Sequence, residues 1–299
     1  MRPTHPPAPS ARVPTVQTVT ALRARMAAFR DDGERVALVP TMGALHDGHL
    51  SLVRIAKRVA DKIVVSIFVN PAQFAPGEDF EAYPRDVAAD LEMLAAEGVD
   101  LVYMPEREAM YAHDHSTSVI VGGVGDGLET DFRPTFFHGV ALVVLKLFNQ
   151  ARPDIAVFGE KDYQQLAVIR RMVRDLDLSV DVLGAPIARD AHGLALSSRN
   201  RYFDETQLDT ARALNAVMFE ARDRLQAGES PDTVLRDAGA AILEAGFGSV
   251  DYVSLADAAS LAPHDGGAIA SPHRLLLAAH CHGVRLIDNC AVQPPESST

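Results

Sequence analysis

The 299-residue sequence has no tryptophan and only two cysteines, Cys281 and Cys290. Two thiols do not make the disulfide framework of a small secreted domain. Lysine is scarce: Lys57, Lys62, Lys146 and Lys161 stand against 24 arginines, so a lysine in a loop stands out. Positive charge is in deficit altogether, with 28 Lys+Arg against 40 Asp+Glu and a net charge of −12. Divided at residue 187, both parts share that deficit equally. Neither part offers the broad basic face that a nucleic-acid binder needs. A site of a few residues can still be positive on an acidic body, so small anions remain eligible ligands. No apolar run approaches the roughly 18 to 20 residues of a membrane helix. The start, MRPTHPPAPSARVPT, puts prolines where a signal peptide has its apolar stretch. Residues 1–14 therefore read as a disordered Pro-rich tail, and the chain as cytoplasmic.

What is present is 47% apolar and long enough for one large domain or two ordinary ones. β-Branched runs at 36–39, 62–69, 101–104, 155–158 and 179–183 alternate with helical patterns at 49–60, from Pro84 to Gly98, 139–149 and 162–174. Such alternation predicts parallel strands joined by right-handed crossovers. The expected fold is α/β: a Rossmann-like parallel-sheet domain over 15–187. Beyond it, two helical patterns precede strand-like runs at 250–255, 274–279 and 284–287. That order predicts a smaller α+β domain over 188–299.

Four loops carry candidate chemistry. The first, Pro40-Thr41-Met42-Gly43-Ala44-Leu45-His46-Asp47-Gly48-His49, joins the first long strand to a helix. Open α/β sheets bind ligands at such carboxyl ends, and a helix N-terminus offers free N–H groups to an anion. Gly48 permits close backbone approach, and His46 and His49 can both point towards that anion. The second is Phe158-Gly159-Glu160-Lys161-Asp162-Tyr163-Gln164-Gln165. There Lys161 is a mobile point charge for phosphate oxygens, Asp162 suits a helix N-cap, and Gln165 sits one turn into the helix. The third, Gly193-Leu194-Ala195-Leu196-Ser197-Ser198-Arg199-Asn200, supplies two hydroxyls and a forked guanidinium suited to a triphosphate. The fourth, Val69-Asn70-Pro71-Ala72-Gln73-Phe74, offers Gln73 as a polar anchor.

Two further clusters read differently. Gly122-Gly123-Val124-Gly125-Asp126-Gly127 lacks dinucleotide spacing and a prompt helix, and reads as a flexible turn. His280-Cys281-His282 with Cys290 reads as core or solvated positions rather than a metal cluster, and no protein metal site is expected.

Taken together, PTMGALHDGH, NPAQF, GEKDYQQ, GLALSSRN and the late RLIDN resemble, in order, the pantothenate synthetase (pantoate–β-alanine ligase) family of the HxGH adenylyl-transferring superfamily. EDFEAYPRD and VDYVSLAD are similar too, so the resemblance runs from Val36 to Asn289. It implies ATP-dependent joining of (R)-pantoate to β-alanine through a pantoyl adenylate, releasing pyrophosphate and then AMP. It also implies ATP binding by Met42, Gly43, Ala44, Leu45, His46, Asp47, Gly48 and His49, with His49 as the catalytic histidine and proton donor. The nucleotide site would be completed by Gly159, Glu160, Lys161 and Asp162, by Leu196, Ser197, Ser198 and Arg199, and by the backbone of Ala188 against adenine. His46, Lys161, Ser197, Ser198 and Arg199 would share catalysis by steadying phosphate charge. Gln73 would hold pantoate and border β-alanine, and Gln165 would hold pantoate. Mg²⁺ with ATP and a homodimer are implied as well, while charge and hydropathy lead us to expect no nucleic-acid or membrane partner. In one place the chain departs from the family: Arg133-Pro134-Thr135-Phe136-Phe137-His138-Gly139-Val140 has Phe136 where a histidine is usual. The other motifs are intact, and activity is expected to survive. Two other classes fit the loops less well: a nucleotidylyltransferase acting on a phosphate-bearing acceptor, and an inactive nucleotide-binding regulator.

Overall fold

Residues 12–74 and 80–295 are described by a computed structural model of the chain. Most of the proposed tail at 1–14, and Glu78 and Asp79 of the EDFEAYPRD segment, lie outside the described residues. The rest divides into two units, each discontinuous in sequence. One comprises the described residues up to Ser118, with Leu142–Phe158 and Leu178–Ala185. The other comprises Val119–Ala141, Gly159–Asp177 and the described residues from Pro186 onward.

In chain order the elements begin with β1 (Thr15–Val16), α1 (Val19–Asp31), β2 (Val36–Thr41), α2 (Asp47–Ala56) and β3 (Lys62–Ile67). Next come α3 (Val87–Ala96), β4 (Leu101–Tyr103) and two single-turn helices, α4 (Arg107–Met110) and α5 (Glu129–Phe132). They are followed by α6 (Phe136–Ala151), β5 (Ile155–Gly159), α7 (Tyr163–Asp175) and β6 (Asp181–Ala185). The last are α8 (Glu205–Gln226), α9 (Pro231–Glu244), β7 (Ser249–Asp257), β8 (His273–Cys281) and β9 (Val284–Val292).

The first unit is built on a sheet of strand order β1-β4-β3-β2-β5-β6. Strand β2 pairs in parallel with β3 and β5, β3 with β4, and β4 with β1. The Rossmann-like sheet read from the alternating runs is therefore present. Its central strands are apolar over most of their length because both faces are covered: Ala37 and Val39 bury one face of β2, Val36 and Leu38 the other. Ala37, Val39, Ile63, Val65 and Val102 share a core with Leu50, Val53 and Ala56 of α2. After β2 the chain builds outward through β3 and β4, then returns to β5 on the other flank. The loop leaving β2 thus starts at the topological switch point, where such sheets bind ligands.

Element ends differ from the periodicity in understandable ways. Helix α2 stops at Ala56 rather than 60, and the Lys57 ammonium donates to the Glu97 carbonyl at 2.7 Å. Helix α6 starts at Phe136, earlier than 139, because Gly139 falls in its first turn without stopping it. Strand β6 lies two residues later than the apolar run, registered by the Asp181 N–H on the Asp154 carbonyl at 2.9 Å. Helix α1 has no counterpart in the sequence reading, although Leu22, Met26 and Phe29 bury one face at helical spacing behind the N-cap Thr18.

In the second unit, β8 pairs antiparallel with β7 and β9. Helix α8 opens with a capping box in which Asp204 and Gln207 satisfy each other's backbone N–H. Ala211, Leu214, Met218 and Leu225 of α8 and Val234 and Ile242 of α9 share a core with Leu275, Leu277, Cys281 and Cys290 of the sheet. Among the described residues, no helix is long and apolar enough to cross a membrane. Leu275 is fully buried in that core. Truncating it as Leu275→Ala is expected to lower stability by about 2–5 kcal/mol, read from urea unfolding midpoints.

Candidate functional site

The loop after β2 owes its shape to one carboxylate. Asp90, buried on α3, accepts the backbone N–H of Ala44 at 3.0 Å through Oδ2 and that of Leu45 at 2.7 Å through Oδ1. The turn needs left-handed backbone at Gly43 (φ 80°) and Ala44 (φ 51°). A Cβ on Gly43 would lie 3.0 Å from Asp90 Oδ2 and 3.1 Å from Ile67, so glycine is required on both counts. The Thr41 hydroxyl adds a brace, donating to the Ser66 carbonyl at 2.8 Å and accepting the Gly43 N–H at 3.3 Å.

His46 is the N-cap of α2, and its Nδ1 accepts the Gly48 N–H at 3.1 Å. Accepting at Nδ1 puts the neutral ring's proton on Nε2, so His46 presents a donor at its far edge. The His49 ring lies 4.2 Å from it, centroid to centroid, at a 48° tilt. Two imidazoles and the first turn of α2 thus gather donors at one helix N-terminus, an anion-binding arrangement. In the loop after β3, a 3-10 turn (Pro71–Gln73) carries Gln73, whose Oε1 accepts from the Asn70 side-chain amide at 2.8 Å.

In the second unit, β9 holds two loops through adjacent residues. The Asn289 amide donates to the carbonyls of Glu160 at 3.0 Å and Lys161 at 2.8 Å, fixing the backbone from which the Lys161 side chain departs. Arg274 donates to Asn289 Oδ1 at 2.6 Å, reaches Glu160 at 3.3 Å, and stacks 4.1 Å from the Tyr163 ring centre. Asp288 takes a forked pair from Arg189, at 2.6 and 2.8 Å. Arg189 also donates to the Gly193 carbonyl at 2.9 Å, and the Ala188 carbonyl accepts the Leu196 N–H at 2.9 Å. The strand therefore pins the segment from Ala188 to Leu196. Beyond it, Ser197 caps a 3-10 turn (Ser198–Tyr202), accepting the Arg199 N–H at 3.3 Å while keeping its own O–H as a donor. Ser198 is buried.

Two expectations need correction here. Asp162 is the N-cap position of α7, but its side chain makes no capping hydrogen bond. A 3-10 turn (Glu160–Asp162) runs directly into the helix and occupies the backbone differently. The glycine-rich segment 122–127 is not loose, and a one-turn helix, α5, follows it. Buried Gln164 donates to the carbonyls of Val124 and Gly127, both at 3.1 Å, and accepts the Glu129 N–H at 3.1 Å. Gln165 follows Gln164 in the first turn of α7. The same turn leads to Glu129, which takes Arg133 at 3.1 Å and Arg285 at 2.8 Å. Phe136, in place of the usual histidine, lies under the Arg133 guanidinium at 3.9 Å.

Asp90, Asn70, Arg189, Arg274, Asp288 and Asn289 are the supporting residues that the sequence reading missed. RLIDN was the available signal for the last two. Cys281 and Cys290 are buried core residues, and burial pushes the Cys290 thiol up to about 11. Among the described residues no group of three or more His, Cys, Asp or Glu is placed to hold a metal ion.

Comparison with known proteins bears on this arrangement. A family model described as pantoate-beta-alanine ligase matches residues 14–291. The pantothenate synthetase of Mesorhizobium japonicum is 54% identical over 281 residues, covering 94% of this chain and 98% of that protein. That of Sphingopyxis alaskensis is 53% identical over 277 residues, covering 93% of this chain and 99% of its own. A crystal structure of pantothenate synthetase from Thermus thermophilus superposes with a TM-score of 0.88 at 41% identity, covering 94% of this chain and 100% of that one. A pantoate-beta-alanine ligase from Francisella tularensis, described as complexed with beta-gamma ATP and beta-alanine, gives 0.78 at 29% identity over 93% and 97% of the chains.

Replacing Asp90 by Ala strips two buried N–H groups of their acceptor, an expected cost of roughly 1–3 kcal/mol. Amide exchange at Ala44 and Leu45, followed by NMR, should accelerate. Asp190 gives a pH prediction. Burial works against its ionisation, yet the Leu194 and His192 N–H groups and Arg212 outweigh it and hold the carboxyl below its ordinary value. Its contribution is present above the unfolded value of about 3.9 and is lost as pH falls through the lower folded value. Acid unfolding of Asp190→Asn is therefore expected to be less steep below about pH 4 than that of the parent protein.

Proposed function

The chain belongs to the pantoate–β-alanine ligase family, and from that premise we propose how its own residues bring about ATP-dependent ligation of pantoate to β-alanine. It is a ligase. The observation that carries the residue assignment is the donor cluster at the start of α2, where His46 and His49 sit on a turn held by Asp90.

In the first half-reaction a pantoate carboxylate oxygen attacks the α-phosphorus of ATP, and the bond to the pyrophosphate oxygen breaks. Two anions must approach, so catalysis consists of positioning and of stabilising charge on the leaving group. We assign ATP to Met42–His49, to Gly159–Asp162, to the Ala188 backbone and to Leu196–Arg199. His46 donates through Nε2, and His49 serves as the proton donor. Lys161, Ser197, Ser198 and Arg199 place positive charge and hydroxyl donors on phosphate oxygens. We assign pantoate to Gln73 and Gln165, with Gln73 bordering β-alanine. In the second half-reaction the neutral amine of β-alanine attacks the acyl carbon, AMP departs with the bonding electrons, and the nitrogen loses a proton. Residues 188–299 are proposed as a lid that keeps water from the adenylate.

Mg²⁺ is proposed to accompany ATP. The Asp90 oxygens are committed to backbone N–H groups and Glu160 to Arg274, so these two carboxylates are not offered to a metal, which suits one held by phosphate oxygens and water. Bound there, it would neutralise phosphate charge. A homodimer working in the cytoplasm is the expected setting, on the family resemblance.

Purified protein given Mg-ATP, (R)-pantoate and β-alanine is expected to form AMP and pantothenate in equal amounts, with no pantothenate when any substrate is withheld. Pyrophosphate release without AMP would overturn the reading in favour of nucleotidyl transfer. His49→Ala is expected to lower kcat by about 10²- to 10³-fold while leaving the unfolding midpoint near that of the parent.

A further inference from the structure

The amide of Gln73 can face its ligand in two opposite senses, as a donor or as an acceptor. Two neighbouring side chains and one backbone N–H in the first unit remove that ambiguity. The Ala72 backbone N–H, a group that can only donate, lies 3.3 Å from Asn70 Oδ1 and identifies that atom as the oxygen. The Tyr111 hydroxyl reaches the same oxygen at 2.7 Å, so the phenol must donate. Asn70 is buried, and its remaining polar atom is the Nδ2 amino group. That group lies 2.8 Å from Gln73, which must answer with Oε1. With Oε1 turned inward, Gln73 directs its two Nε2–H donors away from Asn70.

We propose that Tyr111 is a positioning residue: through Asn70 it fixes the Gln73 amide with its NH₂ edge towards the ligand, which restricts that subsite to an oxygen acceptor such as a carboxylate or hydroxyl and excludes an ammonium group. This rests on the assignment of Gln73 to substrate. A hydrogen-bond chain is directional, and reversing any link reverses the last one. Tyr111 suits the role because burial pushes its hydroxyl up to about 12, so it remains a phenol donor across the working range. Its ring is fixed from two sides, 6.2 Å from Phe68 and 5.3 Å, edge on, from His115.

Two variants test the chain at different links. Tyr111→Phe removes the donor and keeps the ring. It is expected to raise the KM for pantoate or β-alanine about 3- to 10-fold with the KM for ATP unchanged. Asn70→Asp supplies only acceptors and is expected to turn Gln73 over, raising the same KM further. Tyr111→Phe added to Gln73→Ala should change nothing more, because the chain then has no end. A readout independent of turnover is hydrogen exchange of the Asn70 side-chain NH₂, followed by NMR in the ligand-free protein and assigned by its loss in Asn70→Asp. It should be slow in the parent and faster in Tyr111→Phe. Unchanged exchange in Tyr111→Phe, or equal losses in the KM for ATP and for the acceptor, would overturn the proposal. Altered exchange in a protein that makes no pantothenate would instead uphold the orienting chain and overturn the ligase reading.

Discussion

Loops at the ends of parallel strands carry backbone N–H and C=O groups that no ladder satisfies, and burying them requires a partner from elsewhere. That requirement shapes two of the candidate loops in this chain. Asp90 on α3 takes two N–H groups of the turn after β2, and Asn289 on β9 donates to two successive carbonyls of the Glu160–Lys161 turn. Each partner sits on a regular element. The loops therefore inherit the rigidity of a helix or a strand, which is what a site made of loop residues needs in order to hold a fixed geometry.

The same residues explain how an acidic chain can present positive charge. Three carboxylates beside the proposed phosphate loops are engaged: Asp90 by backbone N–H groups, Glu160 by Arg274, Asp288 by Arg189. Their charge is thereby directed into the scaffold. A net charge of −12 describes the molecule as a whole, and says little about the field at the start of α2 or beside Lys161.

The sheet was legible because parallel strands covered on both faces leave long apolar runs, and the loop with His46 and His49 because it follows the first of them. Helix α1 escaped notice since its three buried residues are diluted by arginines on its other faces. Asp90 was invisible for a different reason. Periodicity gives the face of a helix on which a residue lies, but not that a carboxylate facing inward will meet two N–H groups from a turn 45 residues away in the chain. Asp162 had the right type and position for a cap, yet the preceding 3-10 turn left its side chain without that bond. RLIDN was visible as a string whose purpose required the fold, because Asp288 and Asn289 meet Arg189, Arg274 and backbone carbonyls that lie far away in the chain.

The place of β9 in chain order has a consequence for biosynthesis. A ribosome delivers roughly 5–20 residues per second, from the amino end onward. The Lys161 turn and the Ala188–Leu196 segment emerge well before Asp288 and Asn289, which secure them. During that interval the growing polypeptide already displays the histidine loop with its Asp90 support, whereas the later loops await their anchors. Nascent chains halted short of residue 288 should thus fold the early sheet without acquiring settled Lys161 and Ala188–Leu196 loops, so the segments proposed to hold the nucleotide are among the last parts of the protein to settle as it is made.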